Sequence, residues 1–383
     1  MKKNMYFDHA ATTYVKEEVL REMLPYFNLE YGNASSSYSI GRRAKKAVEE
    51  ARNKVARAIC ANPKEIYFTS GGSESDNLAI KGIAYANMDK GNHIITSKIE
   101  HPAVLNTCKT LEKQGFNISY LNVDENGLIS LDELENAITP KTILISVMFA
   151  NNEIGTIEPI EEIGKIAKKH NIIFHTDSVQ AVGNVKIDVN KLNIDLLSMS
   201  GHKFYSPKGI GALYIRTGIK CEKLQDGGHQ EKDLRAGTEN VPGIVGIGKA
   251  IEIADKRLNE YSNKLLELRD YYESQVKDRI PDIKINANNV NRLPGNSNIS
   301  FKNVEGEDIL FNLDEKGICC SSGSACSTGN DNPSHVLTAI GLNYELAKGT
   351  LRVTFGEENT KEDIDYFVNC LEEIIDKLRK NKL

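Results

Sequence analysis

From about residue 60 to residue 220, short apolar runs alternate with stretches whose apolar residues recur every three or four positions. The runs "EIYFTS" (65–70), "HIITSK" (93–98), "NISYLNV" (117–123), "TILISVMFA" (142–150), "NIIFHT" (171–176) and "IDLLSMS" (194–200) have the length and β-branched content of strands. Between them "SESDNLAIKGIAYANM", "PAVLNTCKTLEKQG", "SLDELENAI" and "IEEIGKIAKKH" read as helices with one apolar stripe. "GIGALYIR" (209–216) pairs back on "IDLLSMS", so the loop between them is held at both ends. Strands spaced by helices of this length predict an α/β fold: a mostly parallel sheet covered on both faces, with ligands at the carboxyl ends of its strands. Near residue 250 the pattern changes. A charged amphipathic stretch from Ala250 to Ile280 reads as a connecting helix, followed by "NISF", "EDILFNLDEKGI" and a last helix "KEDIDYFVNCLEEIIDKLRK". The expected division is a large α/β domain over residues 15–255 and a smaller α+β domain formed by 1–14 and 256–383.

A length of 383 residues fits two units better than one. With 40% hydrophobic and 26% charged residues the chain has the composition of a globular protein, and its net charge of -5 offers no general attraction for nucleic acid or anionic membrane. The longest apolar run, 142–150, is far short of a membrane span. In "MKKNMYFDHAATT", Asp8 and His9 arrive before an apolar segment can form, so this is not a secretory signal. Seven cysteines without a C-x-x-C spacing suggest neither a disulfide framework nor a zinc site. The expected setting is the reducing cytoplasm, with small molecules and specific protein surfaces as partners.

Four motifs fall at predicted strand ends. In "TSGGSESDN" (69–77), Gly71 and Gly72 lead into a helix near Ser73, where free N–H groups and a hydroxyl suit a phosphate. The GK[ST] of a nucleotide P-loop is missing. In "IIFHTDSVQAVG", Asp177 ends an apolar strand and Gln180 follows three residues later. A carboxylate there needs a cation or a protonated ligand nitrogen. His101 in "SKIEHPAV" lies just past another strand, and Lys203 sits inside the restrained loop "SGHKFYSPKGIG". Taken singly, each has an ordinary role as cap, turn or solvated residue. Together, a phosphate cradle, a strand-end acid, an imidazole and a held lysine are what pyridoxal 5′-phosphate (PLP) requires. The lysine bonds it covalently, the acid keeps its pyridine nitrogen protonated and the histidine stacks on its ring.

With these motifs in order, the chain resembles the NifS/IscS-like cysteine desulfurases of the class V, fold-type I PLP enzymes. The resemblance runs from "YFDHAATT" through "YGNASS", "TSGGSESDN", "EHPAV", "NNEIGT", "HTDSVQAVG" and "SGHKFYSPKGIG" to "GGHQEKDLRAGTENV", "SSGSACSTG", "PSHVL" and "LRVTFGEENT". It implies a mostly parallel seven-stranded sheet in the large domain and Lys203 as the PLP-binding lysine. Asp177 would pair with the pyridine nitrogen, Gln180 with the ring's phenolic oxygen, and His101 would stack on the ring as a further catalytic residue. Gly72, Ser73, Ser200 and His202 would hold the phosphate. Thr238 would reach the phosphate of a neighbouring subunit, implying a homodimer with shared sites. Asn152 would touch cofactor and substrate; Arg352 would grip the substrate carboxylate, with Asn33 assisting. Serine at 73 and glycine at 72 depart from the threonine and alanine of many members, and both keep the phosphate-binding chemistry.

PLP chemistry alone fits transamination, decarboxylation or lyase activity. Cys326, in "CCSSGSACSTGNDNPSHVL", decides among them, because serines and glycines around it describe an exposed loop, an unusual setting for a structural cysteine. Cys319 and Cys320 end a strand-like "GICC" and are expected in the core; Cys60, Cys108, Cys221 and Cys370 are read as structural. The implied reaction converts L-cysteine to L-alanine and leaves sulfur on Cys326 as a persulfide, for an iron–sulfur scaffold or another acceptor protein. No metal is expected in the resting enzyme, with Cys326 at most a transient iron–sulfur ligand. The alternatives are a selenocysteine lyase or class V aminotransferase that does not depend on Cys326, and a catalytically silent scaffold. The scaffold should have lost Lys203, Asp177 or Cys326, and all three are present.

Overall fold

The computed structural model of the protein describes residues 4–322 and 333–381. The chain opens with β1 (Met5–Tyr6) and helices α1 (Glu17–Met23), α2 (Pro25–Asn28) and α3 (Ser39–Ala58). The alternating region follows as β2 (Ile66–Thr69), α4 (Gly72–Ala86), β3 (His93–Ser97), α5 (Pro102–Glu112), β4 (Asn117–Leu121), α6 (Leu131–Ala137), β5 (Thr142–Ser146), α7 (Ile160–Lys169), β6 (Ile173–Asp177), β7 (Leu196–Ser200) and β8 (Gly211–Ile215). After α8 (Val241–Arg279) come β9 (Ile283–Ile285), β10 (Asn296–Phe301), α9 (Gly306–Glu315), β11 (Ile318–Cys319), α10 (His335–Ala339), α11 (Tyr344–Lys348), β12 (Thr350–Thr354) and α12 (Lys361–Asn381).

Seven strands form the principal sheet in the order β2-β8-β7-β6-β5-β3-β4. Strands β4, β3, β5, β6 and β7 are parallel, and β8 runs against both its neighbours. The period of two along each strand builds two cores. Ile94, Leu144 and Leu196 pack on one face with α4 and α5, while Ile95, Ile145 and Leu197 pack on the other with α3, α7 and the start of α8. These strands are apolar on both sides because both sides are covered. A second, three-stranded antiparallel sheet, β12-β10-β9, packs its own core of Phe301, Leu351, Phe367 and Leu371 against α12 and the latter half of α8.

The expected connecting helix is longer than its charge pattern showed: α8 begins at Val241, not near Ala250. Its first turns have no polar face to report them. A Cβ on Gly246 would lie 2.7 Å from the Met23 sulfur, and one on Gly248 would lie 2.6 Å from the Ala51 Cβ. Glycine here permits close helix packing, and a stretch buried all round carries no amphipathic contrast. Among the described residues, no helix is long and apolar enough to cross a membrane.

Candidate active site

Gly72, Ser73, His101, Asn152, Asp177, Gln180, Ser200, His202, Lys203 and Arg352 line one cavity of about 290 Å³. It opens at the carboxyl ends of β3, β6 and β7, where a parallel sheet leaves its ligand crevice. Asn33 and Thr238 are exposed and do not line it. Cys326 lies outside the described residues.

At one end, the turn before α4 brings backbone against backbone. Gly71 has φ 155° and ψ −175°, a conformation that essentially only glycine adopts. A Cβ on Gly211 would lie 2.7 Å from the Gly71 Cα, and one on Gly72 would lie 2.6 Å from Val179 Cγ2. The first turn of α4, whose N–H groups have no intrahelical partner, thus begins at the cavity lining beside Ser73 and Ser200, a place suited to an anion by the helix dipole.

Lys203 closes a 3₁₀ turn, Gly201–Lys203, directly after β7. The turn is tied by Gly201 N–H to Ile210 O at 3.0 Å, Ser206 N–H to Gly201 O at 3.1 Å, and Tyr205 N–H to Thr13 Oγ1 at 2.8 Å. Lys203 Nζ donates to the carbonyls of Ala10 at 2.5 Å and Ala11 at 2.8 Å. His202 shares a 3.1 Å hydrogen bond between Nδ1 and Thr12 Oγ1. Burial, then Lys203 and Lys208, lowers its pKa to about 4, so it is neutral at pH 7.

His101 caps α5, its Nδ1 accepting the Ala103 N–H at 3.1 Å. Its neutral ring therefore carries the proton on Nε2. Burial lowers its pKa, with Lys203 acting in the same direction and Asp177 opposing. Asp177, 5% exposed, accepts the Val179 N–H at 2.9 Å; burial raises its pKa, and His101 and Lys203 pull it back. Gln180 Nε2 is fixed on Ala10 O at 3.0 Å.

At the far end Arg352, 2% exposed, reaches Asp8 Oδ1 from Nη2 at 2.7 Å and the Asn152 carbonyl from Nη1 at 3.0 Å, while its Nε has no hydrogen-bond partner among the described residues. The motifs "YFDHAATT", "TSGGSESDN" and "PSHVL" thus contain residues at the site that carried no assigned role: Asp8, which grips Arg352 from outside the cavity lining, and Asp76 and His335, which line the cavity. Glu153 also lines it, and Glu100 lies just behind. Glu100 is fully buried, accepting from Ser97 Oγ at 2.7 Å and Met148 N–H at 2.9 Å, and burial pushes its pKa up to about 8. These acids take their place at the site from partners that only the fold brings to them, and proximity to a quoted motif was the available sign in the sequence.

The described cysteines correct two expectations. Cys60 is exposed, at a turn after α3 with φ 59°, and Cys319 is only partly buried, whereas Cys320 packs against the core of the second sheet. Cys108 and Cys370 are buried as expected.

Comparison with known proteins gives the family. The aminotransferase class-V family model matches residues 5–367. "Cysteine desulfurase IscS" of Clostridium botulinum is 56% identical, over 99% of this chain and 96% of its own length. The protein of the same name from Methanosarcina thermophila is 57% identical over 98% and 93%. Among solved structures, a "NifS-like protein" superposes with TM-score 0.92 at 39% identity, covering 98% of this chain and all of that one. "SspA in complex with cysteine" superposes with TM-score 0.82 at 41% identity, covering 92% and 98%. The chain belongs to the class-V aminotransferase family and, within it, to the NifS/IscS-like cysteine desulfurases.

Proposed function

We propose that the protein is a PLP-dependent cysteine desulfurase that moves the sulfur of L-cysteine onto Cys326, releases L-alanine, and passes the sulfur to an iron–sulfur scaffold or another acceptor protein. The observation that carries this reading is the placement of Lys203, Asp177 and the glycine-lined start of α4 around one cavity. The residues present fit the cofactor. A Cβ on Gly72 would lie 2.6 Å from Val179 Cγ2, so glycine lets the start of α4 pack against the Asp177–Val179 segment, with Gly72, Ser73 and Ser200 together on the cavity lining where a phosphate would sit. Asp177 offers a buried carboxyl with one oxygen already fixed by the Val179 N–H. Bound there, PLP supplies the electron sink that makes the substrate Cα–H acidic.

The chain's own groups do the rest. The α4 N–H groups, Ser73, Ser200 and His202 hold the phosphate. Asp177 pairs with the pyridine nitrogen, Gln180 with the phenolic oxygen, and His101 covers one ring face. Arg352 and Asn152 orient the substrate carboxylate, and Lys203 Nζ takes the Cα proton. The Cys326 thiolate attacks the substrate sulfur. The C–S bond breaks, Cys326–S–S⁻ forms, and the three-carbon remainder gains protons to leave as alanine. No outside oxidant or reductant is needed for that half.

The homodimer belongs to the same proposal. Thr238 sits exposed on a loop braced by Arg235 on Glu74 at 2.8 Å and by Arg52 on Glu231 at 2.8 Å, a rigid mount for reaching a neighbouring subunit's phosphate. Asn33, equally exposed, is kept as an assisting residue of the assembled site. In this reading residues 15–255 carry the cofactor and the unit of 1–14 with 256–383 carries Cys326, in a cytoplasmic enzyme. The test is production of alanine and sulfide from L-cysteine in the presence of a thiol reductant. Equal amounts of both support the proposal, and no cysteine-dependent alanine overturns it.

A further inference from the structure

The cavity floor holds a second carboxyl that the chemistry above does not use. Asp76, on the inner face of α4, is 1% exposed, and its Oδ1 has no hydrogen-bond partner among the described residues. One oxygen of Asp76, one of Asp177 and a ring nitrogen of His101 lie within 4.8 Å of one another. Two carboxyls this close and this buried oppose each other's ionisation.

The surrounding groups decide which one carries the charge. Asp177 receives the Val179 N–H at 2.9 Å, and His101 and Lys203 both favour its anion. Asp76 faces burial and two acids, Asp177 and Glu100, with only the Ser198 hydroxyl on the side of its anion. His175, from β6, brings Nε2 to 3.7 Å from Asp76 Oδ1. It supplies no positive charge: burial lowers its pKa to about 3, and its two nitrogens share hydrogen bonds with Ser146 at 2.9 Å and Ser198 at 3.0 Å.

We propose that Asp76 is a positioning residue that stays a neutral carboxylic acid in the cavity floor beside Asp177 and so confines the negative charge of that pair to Asp177. This rests on the reading that Asp177 meets the pyridine nitrogen. An ionised Asp76 would pull a proton onto Asp177 and weaken its hold on that nitrogen, whereas a smaller apolar residue would let Asp177 and its floor shift.

The experiment compares wild type, Asp76→Asn and Asp76→Ala as purified holoproteins. The infrared difference between wild type and Asp76→Asn at neutral pH should contain the C=O stretch of a protonated carboxyl. Asparagine, neutral and of the same shape, should keep the pH midpoint of the lysine-bound cofactor's absorbance and keep turnover within about twofold. Asp76→Ala should move the midpoint and lower turnover about tenfold or more. Absence of the protonated-carboxyl band, a midpoint moved by about one pH unit in Asp76→Asn, or wild-type behaviour of Asp76→Ala each overturns the proposal. The infrared band needs no cofactor, so a protein that binds none to Lys203 would fail the functional reading while the state of Asp76 was still decided.

Discussion

Replacing Arg352 with alanine removes a cation that is 2% exposed and held by Asp8 at 2.7 Å. Two charges whose centres are about 4 Å apart attract by roughly 4 kcal/mol at an effective dielectric near 20. Loss of one member strands the other, and for buried pairs that costs ~3–5 kcal/mol of stability. Asp8 keeps some solvent at 15% exposure, which places the expected loss at the lower end. Substrate binding falls separately. Deleting one partner of a desolvated charge pair costs ~2–5 kcal/mol, a rise in KM for L-cysteine of about thirtyfold or more. A double-mutant cycle with Asp8→Asn separates the two effects, with urea melts for stability and alanine formation for KM. In the Asp8→Asn background Arg352→Ala should cost about 2 kcal/mol less stability, because no carboxylate is stranded, while the rise in KM should persist. A KM within about twofold of wild type in Arg352→Ala would refute the assignment of the substrate carboxylate to this guanidinium.

Gly72→Ala puts a Cβ 2.6 Å from Val179 Cγ2 and so pushes on the residue whose N–H fixes Asp177. Overpacking of this kind costs ~1–3 kcal/mol, so PLP titration of the apoprotein should show about tenfold weaker binding, restored by Val179→Ala in the same chain; unchanged binding in Gly72→Ala alone would mean the floor gives way freely. Glu100, with its pKa raised from 4.5 to about 8, favours the fold while protonated, so its stabilising share is full below pH 4.5 and is lost as pH rises towards 8. Glu100→Gln, a neutral isostere, should therefore gain stability over wild type between pH 5 and pH 8 by an amount of order 3–5 kcal/mol in urea melts, and a constant difference would contradict the neutral acid.

Alternation of apolar runs with amphipathic stretches was enough to read every strand of the principal sheet, because strands such as Leu196–Ser200 are buried on both faces and carry no competing signal. The start of α8 was not legible for the complementary reason, since glycines packed on Met23 and Ala51 erase its polar face. In the cavity, Lys203 and Asp177 stood out because a charged residue at an apolar strand end needs an explanation. Asp8 and Asp76 did not, since their weight comes from what lies opposite: a guanidinium from β12 for Asp8, and for Asp76 a second carboxyl from β6. Such partners are hundreds of residues or several strands away in the chain, and only folding brings them together. Asn33 and Thr238 show the converse, since both are exposed and do not line the cavity, so the geometry of a single chain does not report the roles that the family resemblance implies for them.

The central claim is that sulfur leaves L-cysteine by way of Cys326, and mass spectrometry of the holoprotein mixed with L-cysteine tests it most directly. Wild-type protein should gain the mass of one sulfur atom on the peptide that carries Cys326. Cys326→Ser should gain none there while still binding PLP and cysteine, because the residues proposed to hold the cofactor lie elsewhere in the chain and a serine hydroxyl is a poor nucleophile towards sulfur. Sulfur appearing instead on Cys319 or Cys320, both partly exposed at the end of β11, or alanine release undiminished in Cys326→Ser, would contradict the account.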